Sequence, residues 1–160
     1  MKKRFKILSI DGGGIRGLYP ATILKELEAR IQEEKGEGTQ LYEYFDLICG
    51  TSTGGIIALA ISLGMKASDI QSLYNEYAGE IFGNKRGFWR SIFKSKYSSN
   101  PLEDILQEKF NKLTEASVTR LGHAKTRVCI PTFWGETGRC QLLKTSHHPN
   151  LLNDYKIPAN

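Results

Sequence analysis

No run of about eighteen apolar residues occurs in this 160-residue sequence, so no part of it reads as a membrane-spanning helix. Cysteine is scarce. Cys49, Cys129 and Cys140 are odd in number and follow no metal-ligand spacing, which removes both a disulfide framework and a zinc motif as organisers of the fold. We read all three as buried reduced thiols. Histidine is equally scarce, at three. There is no internal repeat and no low-complexity segment. A secretory leader is not legible either. Met1-Lys2-Lys3-Arg4-Phe5-Lys6 is basic, but the apolar stretch behind it is short and runs into Asp11 and a glycine loop, so a cytoplasmic start is expected.

Acidic residues are missing from one stretch in particular. Gly83 to Tyr97 holds Lys85, Arg86, Arg90, Lys94 and Lys96 and no carboxylate, which equals the whole net charge of +5. Phe88, Trp89, Phe93 and Tyr97 stand among these cations. One reading is a solvated loop with anchoring aromatics. Another is a rim that meets an anionic lipid surface, with Lys85, Arg86, Trp89, Arg90 and Lys94 facing the membrane. Nucleic acid could use the same ingredients, but an esterase-type turn beside the patch makes lipid the more economical partner.

That turn lies at Phe45 to Gly55. Phe45-Asp46-Leu47-Ile48-Cys49 reads as a short strand of a parallel sheet, running into Gly50-Thr51-Ser52-Thr53-Gly54, a G-x-S-x-G pattern. A nearly all-apolar helix follows from Ile56 to Leu63 and stops at Gly64. Strand, tight turn with serine at its apex, and buried helix make a nucleophile elbow, whose glycines let two backbones approach closely. The plainer reading is a glycine-rich turn with a capping serine. The flanking elements favour a catalytic Ser52.

Upstream, Phe5 to Ile10 is the first expected strand. Asp11-Gly12-Gly13-Gly14-Ile15-Arg16-Gly17 follows, then a helix from about Leu18 to Glu34 with Leu24, Leu27 and Ile31 on its apolar stripe and Ile23 beside it. This is a β-α-β unit with parallel strands. Gly12-x-Gly14-x-x-Gly17 also fits a dinucleotide fingerprint, which requires an acidic residue at the end of the second strand. Cys49-Gly50 stands there instead. Consecutive glycines at a helix start aim unpaired N–H groups at one spot, which suits a tetrahedral oxyanion.

Downstream, Ser68-Asp69-Ile70-Gln71 reads as a capping box opening a helix with the stripe Ile70, Leu73, Tyr74, Tyr77 and Ile81. Asn100 is the expected N-cap of a further helix with Leu102, Ile105, Leu106, Phe110 and Leu113 inward. A strand from Arg127 to Trp134, a turn at Gly135 to Gly138 and a strand from Arg139 to Thr145 make a hairpin.

Together these residues resemble the patatin-like phospholipases, in which a D-G-G-G-[IL]-[RK]-G loop is joined to a G-T-S-T-G-G elbow some thirty-odd residues later. The resemblance implies an α/β fold: a mainly parallel sheet with helices on both faces, a three-layer sandwich related to α/β-hydrolases. It implies lipid acyl hydrolysis of the phospholipase A or lysophospholipase type, with no metal and no organic cofactor. Ser52 would be the nucleophile. The amides of Gly12, Gly13, Gly14 and Ile15 would hold the oxyanion, with Arg16 steadying the loop, and Gly50, Thr51, Thr53 and Gly54 would build the elbow. Membrane phospholipid would be the substrate, with peripheral membrane contact and no nucleic acid. Within the family the likeness is strongest to bacterial members, including those switched on by cyclic-nucleotide signals in anti-phage defence.

The base is the departure. His123, His147 and His148 are the histidines after Ser52, the last two at a proline-containing turn. The family pairs its serine with an aspartate in a later D-G-[GA] motif. Asp69, Asp104 and Asp154 are followed by Ile, Ile and Tyr, and none fits. We therefore expect residues 1–160 to be the N-terminal portion of a longer enzyme whose aspartate lies beyond Asn160, the 160 residues alone being inactive. The alternative is a remnant without its base that binds lipid or a partner.

Overall fold

In the computed structural model of the chain, residues 4–82 and 101–146 are described. The basic stretch with Lys85, Arg86, Trp89, Arg90 and Lys94 lies outside these residues, as do Asn100, His147, His148 and Asp154. So do the side chains of Ile15, Tyr77, Ile81 and Leu102.

Strand β1 (Ile7–Ile10) leads through a 3₁₀ turn at Gly14–Gly17 into α1 (Leu18–Lys35). A one-turn helix, α2 (Leu41–Tyr44), precedes β2 (Leu47–Gly50). Next come α3 (Thr53–Leu63), α4 (Ala67–Phe82) and α5 (Pro101–Thr114). With the hairpin of β3 (Arg127–Trp134) and β4 (Arg139–Lys144), the described residues form a four-stranded sheet in the order β1-β2-β3-β4. The first three strands are parallel and β4 is antiparallel, so the chain has the α/β architecture expected of it.

Register decides what the sheet buries. Ile10 is paired with Gly50 and Ile48 with Val128, so Leu8, Ile10, Ile48, Val128 and Ile130 share one face and join a single core. Helix α3 lies on β2 and β3 and is buried nearly all round, as its unbroken apolar run requires. Ile57, Ile61 and Leu63 are almost fully enclosed, each contributing about 1.5–3 kcal/mol by leaving water. Helix α1 buries Ala21, Leu24, Glu28 and Ile31 and lies against α4. Ile23, expected beside the stripe, is exposed instead, because it points off the α1 core face.

Two local expectations are corrected. Ser68 does not cap α4. The helix already begins at Ala67, whose N–H donates to Glu28 Oε2 at 2.9 Å, while the Ser68 hydroxyl reaches only Asp69. A carboxylate from another helix thus takes the place of a local cap. The thiols are not buried. Cys49 and Cys129 are half-exposed register partners and Cys140 is exposed. They stand on the sheet face with Ile7, Ser9 and Arg127, all exposed, opposite the face that α3 covers.

Candidate active site

Because Ile10 pairs with Gly50, β1 and β2 end level, and the loops that follow them meet at the carboxyl edge of the sheet. That edge is where open α/β sheets hold their ligands. The Thr51 N–H donates to Ile10 O at 3.3 Å, tying the start of the elbow to the end of the first strand.

Ser52 has φ 54° and ψ −126°, a conformation that non-glycine residues rarely adopt and that carries on the order of 1–3 kcal/mol of strain. Among the described residues, Glu115 is the other non-glycine with positive φ. The strain holds because the chain reverses at once into α3: Gly54 N–H donates to Thr51 O at 2.9 Å, and Gly55 N–H to Ser52 O at 2.9 Å. Ser52 caps nothing with its side chain and is exposed, so the capping-serine reading does not describe it. Close backbone approach explains the glycines. A Cβ on Gly54 would run into the Ile10 carbonyl oxygen, and one on Gly12 would collide with the Thr51 carbonyl oxygen and lie 2.7 Å from Ser52 Cβ.

The glycine loop therefore sits directly against the apex of the elbow, but not with all its amides unpaired. Gly12 N–H donates to Thr51 Oγ1 at 3.4 Å, and Gly13 N–H to Thr53 Oγ1 at 3.1 Å. Arg16 N–H donates back to Gly13 O at 3.2 Å, and the Arg16 side chain folds over the loop. Among the described residues, the Gly14 N–H has no acceptor. The threonines were read from sequence only as elbow positions. Their hydroxyl bonds are what that reading missed, since those bonds join residues about forty positions apart.

Tyr74 on α4 was read as core. Its hydroxyl donates to Thr53 O at 3.4 Å, and its ring packs where a Cβ on Gly17 would fall. Burial pushes the Tyr74 hydroxyl up to about 12, against a smaller lowering by the Thr53 hydroxyl. Beside the loop, an open groove of about 380 Å³ runs between β1 and α1, lined by Leu8, Ile10, Gly12, Arg16, Pro20 and Leu24.

The candidate bases are dispersed. His123 is exposed, and its Nδ1 accepts the Arg120 N–H at 3.1 Å, which commits the ring to a local turn. Asp69 stands on α4 and Asp104 on α5, each in the first turn of its helix. Among the described residues none of them is bonded to Ser52.

The sequence pattern of the patatin-like phospholipases matches residues 8–154. The chain is 36% identical to a cGAMP-activated phospholipase of Pseudomonas aeruginosa over 159 residues, covering 96% of this chain and 43% of that protein. It is 35% identical to a cGAMP-activated phospholipase of Vibrio cholerae, covering 98% of this chain and 46% of the relative. To Patatin-T5 of Solanum tuberosum it is 40% identical, over 79% of this chain and 32% of that one. The chain thus spans under half the length of these relatives. Among solved structures, the complex of full-length SpcU with full-length ExoU from the type III secretion system of Pseudomonas aeruginosa matches with a TM-score of 0.50 at 18% identity, covering 92% of this chain and 36% of that chain, a likeness of fold alone. With the pattern matched from β1 past β4, the chain belongs to the patatin-like phospholipase family.

Proposed function

We propose that this chain carries the nucleophile half of a lipid acyl hydrolase of the phospholipase A or lysophospholipase type, and that Ser52 is the nucleophile. The observation that carries the reading is the strained backbone of Ser52 at the apex of the elbow, exposed and set against the glycine loop. Ser52 Oγ attacks the ester carbonyl. The oxyanion that forms is held by the loop, with the unpaired Gly14 N–H as donor. Collapse expels the alcohol and leaves an acyl-enzyme, which water then hydrolyses. The groove lined by Leu8, Ile10 and Leu24 offers an apolar surface to the acyl chain next to that loop.

The base is an aspartate supplied by residues after Asn160. Two things support this: the relatives are more than twice as long, and His123, Asp69 and Asp104 are not bonded to Ser52 among the described residues. The enzyme works in the cytoplasm and touches the membrane peripherally, through Lys85, Arg86, Arg90 and Lys94, whose charge suits anionic headgroups, and Trp89, whose ring suits headgroup depth. No helix among the described residues is long and apolar enough to cross a membrane. The test is release of fatty acid from phosphatidylglycerol vesicles by the natural protein. Ser52→Ala is expected to lower turnover by at least about a thousandfold. Undiminished turnover would refute the reading.

A second reading is favoured by the names of two relatives, the cGAMP-activated phospholipases: hydrolysis waits on a cyclic dinucleotide. Addition of cGAMP to the same assay decides it, with turnover rising under this reading and unchanged if activity is constitutive. A base-less binding remnant would hold vesicles without releasing fatty acid under either condition.

A further inference from the structure

The oxyanion loop is not fixed by its own hydrogen bonds alone. It leaves β1 at Asp11, and Gly13 and Gly14 both have positive φ, 150° and 61°, so the segment has little intrinsic preference for the shape it adopts. What faces it is the elbow. Thr53 is 3% exposed and opens α3 directly after the strained serine. Its hydroxyl accepts the Gly13 N–H, and its carbonyl accepts the Tyr74 hydroxyl from α4. Tyr74 also abuts Gly17, at the far end of the same loop. Thr51, on the other flank of Ser52, accepts the Gly12 N–H.

We propose that Thr53 is a positioning residue of the reaction: buttressed by Tyr74, its hydroxyl clamps Gly13 so that the next amide, Gly14, is held at the oxyanion beside Ser52. The inference rests on Ser52 being the nucleophile. The division of labour follows from the donors. An amide committed to a buried hydroxyl serves as an anchor, and the neighbouring unpaired amide is free to meet developing charge. A threonine hydroxyl does this where a valine of equal shape cannot. The position therefore needs an acceptor oxygen in a buried place, which is a chemical requirement and not one of volume.

Amide hydrogen exchange on the natural protein tests the clamp without any variant. Gly13 N–H is expected to exchange about tenfold or more slowly than Gly14 N–H. Equal rates overturn the proposal. Thr53→Ala should raise Gly13 exchange by about the same factor, and Thr53→Ser should keep it near the unsubstituted rate. Unchanged Gly13 exchange in Thr53→Ala also overturns it. In phosphatidylglycerol hydrolysis, Thr53→Ala should lower kcat about tenfold or more with KM within about twofold, and Thr53→Ser should restore kcat. A change confined to KM, or no rescue by serine, contradicts the positioning role. If Gly13 protection follows Thr53 while Ser52→Ala still turns over normally, the nucleophile reading fails and the clamp does not.

Discussion

Glu28 Oε2, on α1, accepts the N–H of Ala67, the first residue of α4, at 2.9 Å across 39 positions of sequence. The side chain is 6% exposed, and its Oε1 has no hydrogen-bond partner among the described residues. The bond joins α1 to α4, as do the bonds of Gln71 with Lys25 and Thr22, and it satisfies an amide that a helix start leaves orphaned. Glu28→Ala should lower stability by about 1–3 kcal/mol in chemical unfolding, because the buried Ala67 N–H loses its acceptor. Glu28→Gln, which keeps an acceptor oxygen, should lose less. Equal stability of the alanine variant and the parent would show that the bond contributes nothing.

Tyr74 gives the fold an alkaline limit. Its folded value is raised to about 12 from the ordinary 10.0, mainly by burial, so the folded state keeps a proton that the unfolded state has lost. The sign follows: the contribution is fully present below pH 10.0 and is lost as pH rises toward about 12. The slope is at most about 1.4 kcal/mol per pH unit, and smaller because the half-buried ring is partly screened by water. Unfolding titrations across this window should show the decline in the parent and a flatter profile in Tyr74→Phe. Parallel profiles would contradict the assignment.

Gly54 cannot carry a side chain. A methyl there meets the Ile10 carbonyl oxygen at the end of β1 and lies 2.8 Å from Asp11 C just beyond it, both backbone atoms. Gly54→Ala should therefore cost about 3 kcal/mol or more in thermal unfolding. Gly122→Ala is the control, with open space around its Cβ. It should stay within about 0.5 kcal/mol of the parent. Similar losses at both positions would sink the close-approach account of the elbow.

The cysteines should react in order. Burial, and then the neighbouring Cys129, push the Cys49 thiol up, which lowers its thiolate fraction, while Cys140 is exposed. Maleimide labelling followed by peptide mass spectrometry is expected to find Cys140 modified about tenfold or more faster than Cys49. Equal rates would contradict this.

Much of this was legible before the structure, and the reasons differ by element. The hairpin bounds at Arg127, Trp134 and Arg139 follow from alternation and a four-residue turn, both local signals. Helix α3 was legible because nothing but burial on all sides explains Ile56 to Leu63, although it starts at Thr53, since the turn itself is the first helical turn. The one-turn helix α2 is too short to give a periodic signal, although the Gln40 N–H donates to Glu43 Oε2 at 2.8 Å, which is half of a capping box. Ser68 misled for the opposite reason: a local capping pattern lost to a carboxylate 39 positions away. The hydroxyl bonds of Thr51 and Thr53 could not be read at all, because they exist only once Ile10 and Gly50 are in register. The exposure of the thiols depends likewise on which sheet face α3 covers.

The measurement that tests the central claim most directly is a fluorophosphonate reaction with the natural protein, with the modified peptide mapped by mass spectrometry. The phosphonyl group needs both a nucleophile and a hole for its oxygen, so labelling interrogates the elbow and the loop together. The account predicts a single adduct on Ser52, absent from Ser52→Ala. An adduct on another residue, with Ser52 unmodified and lipid still hydrolysed, would contradict it.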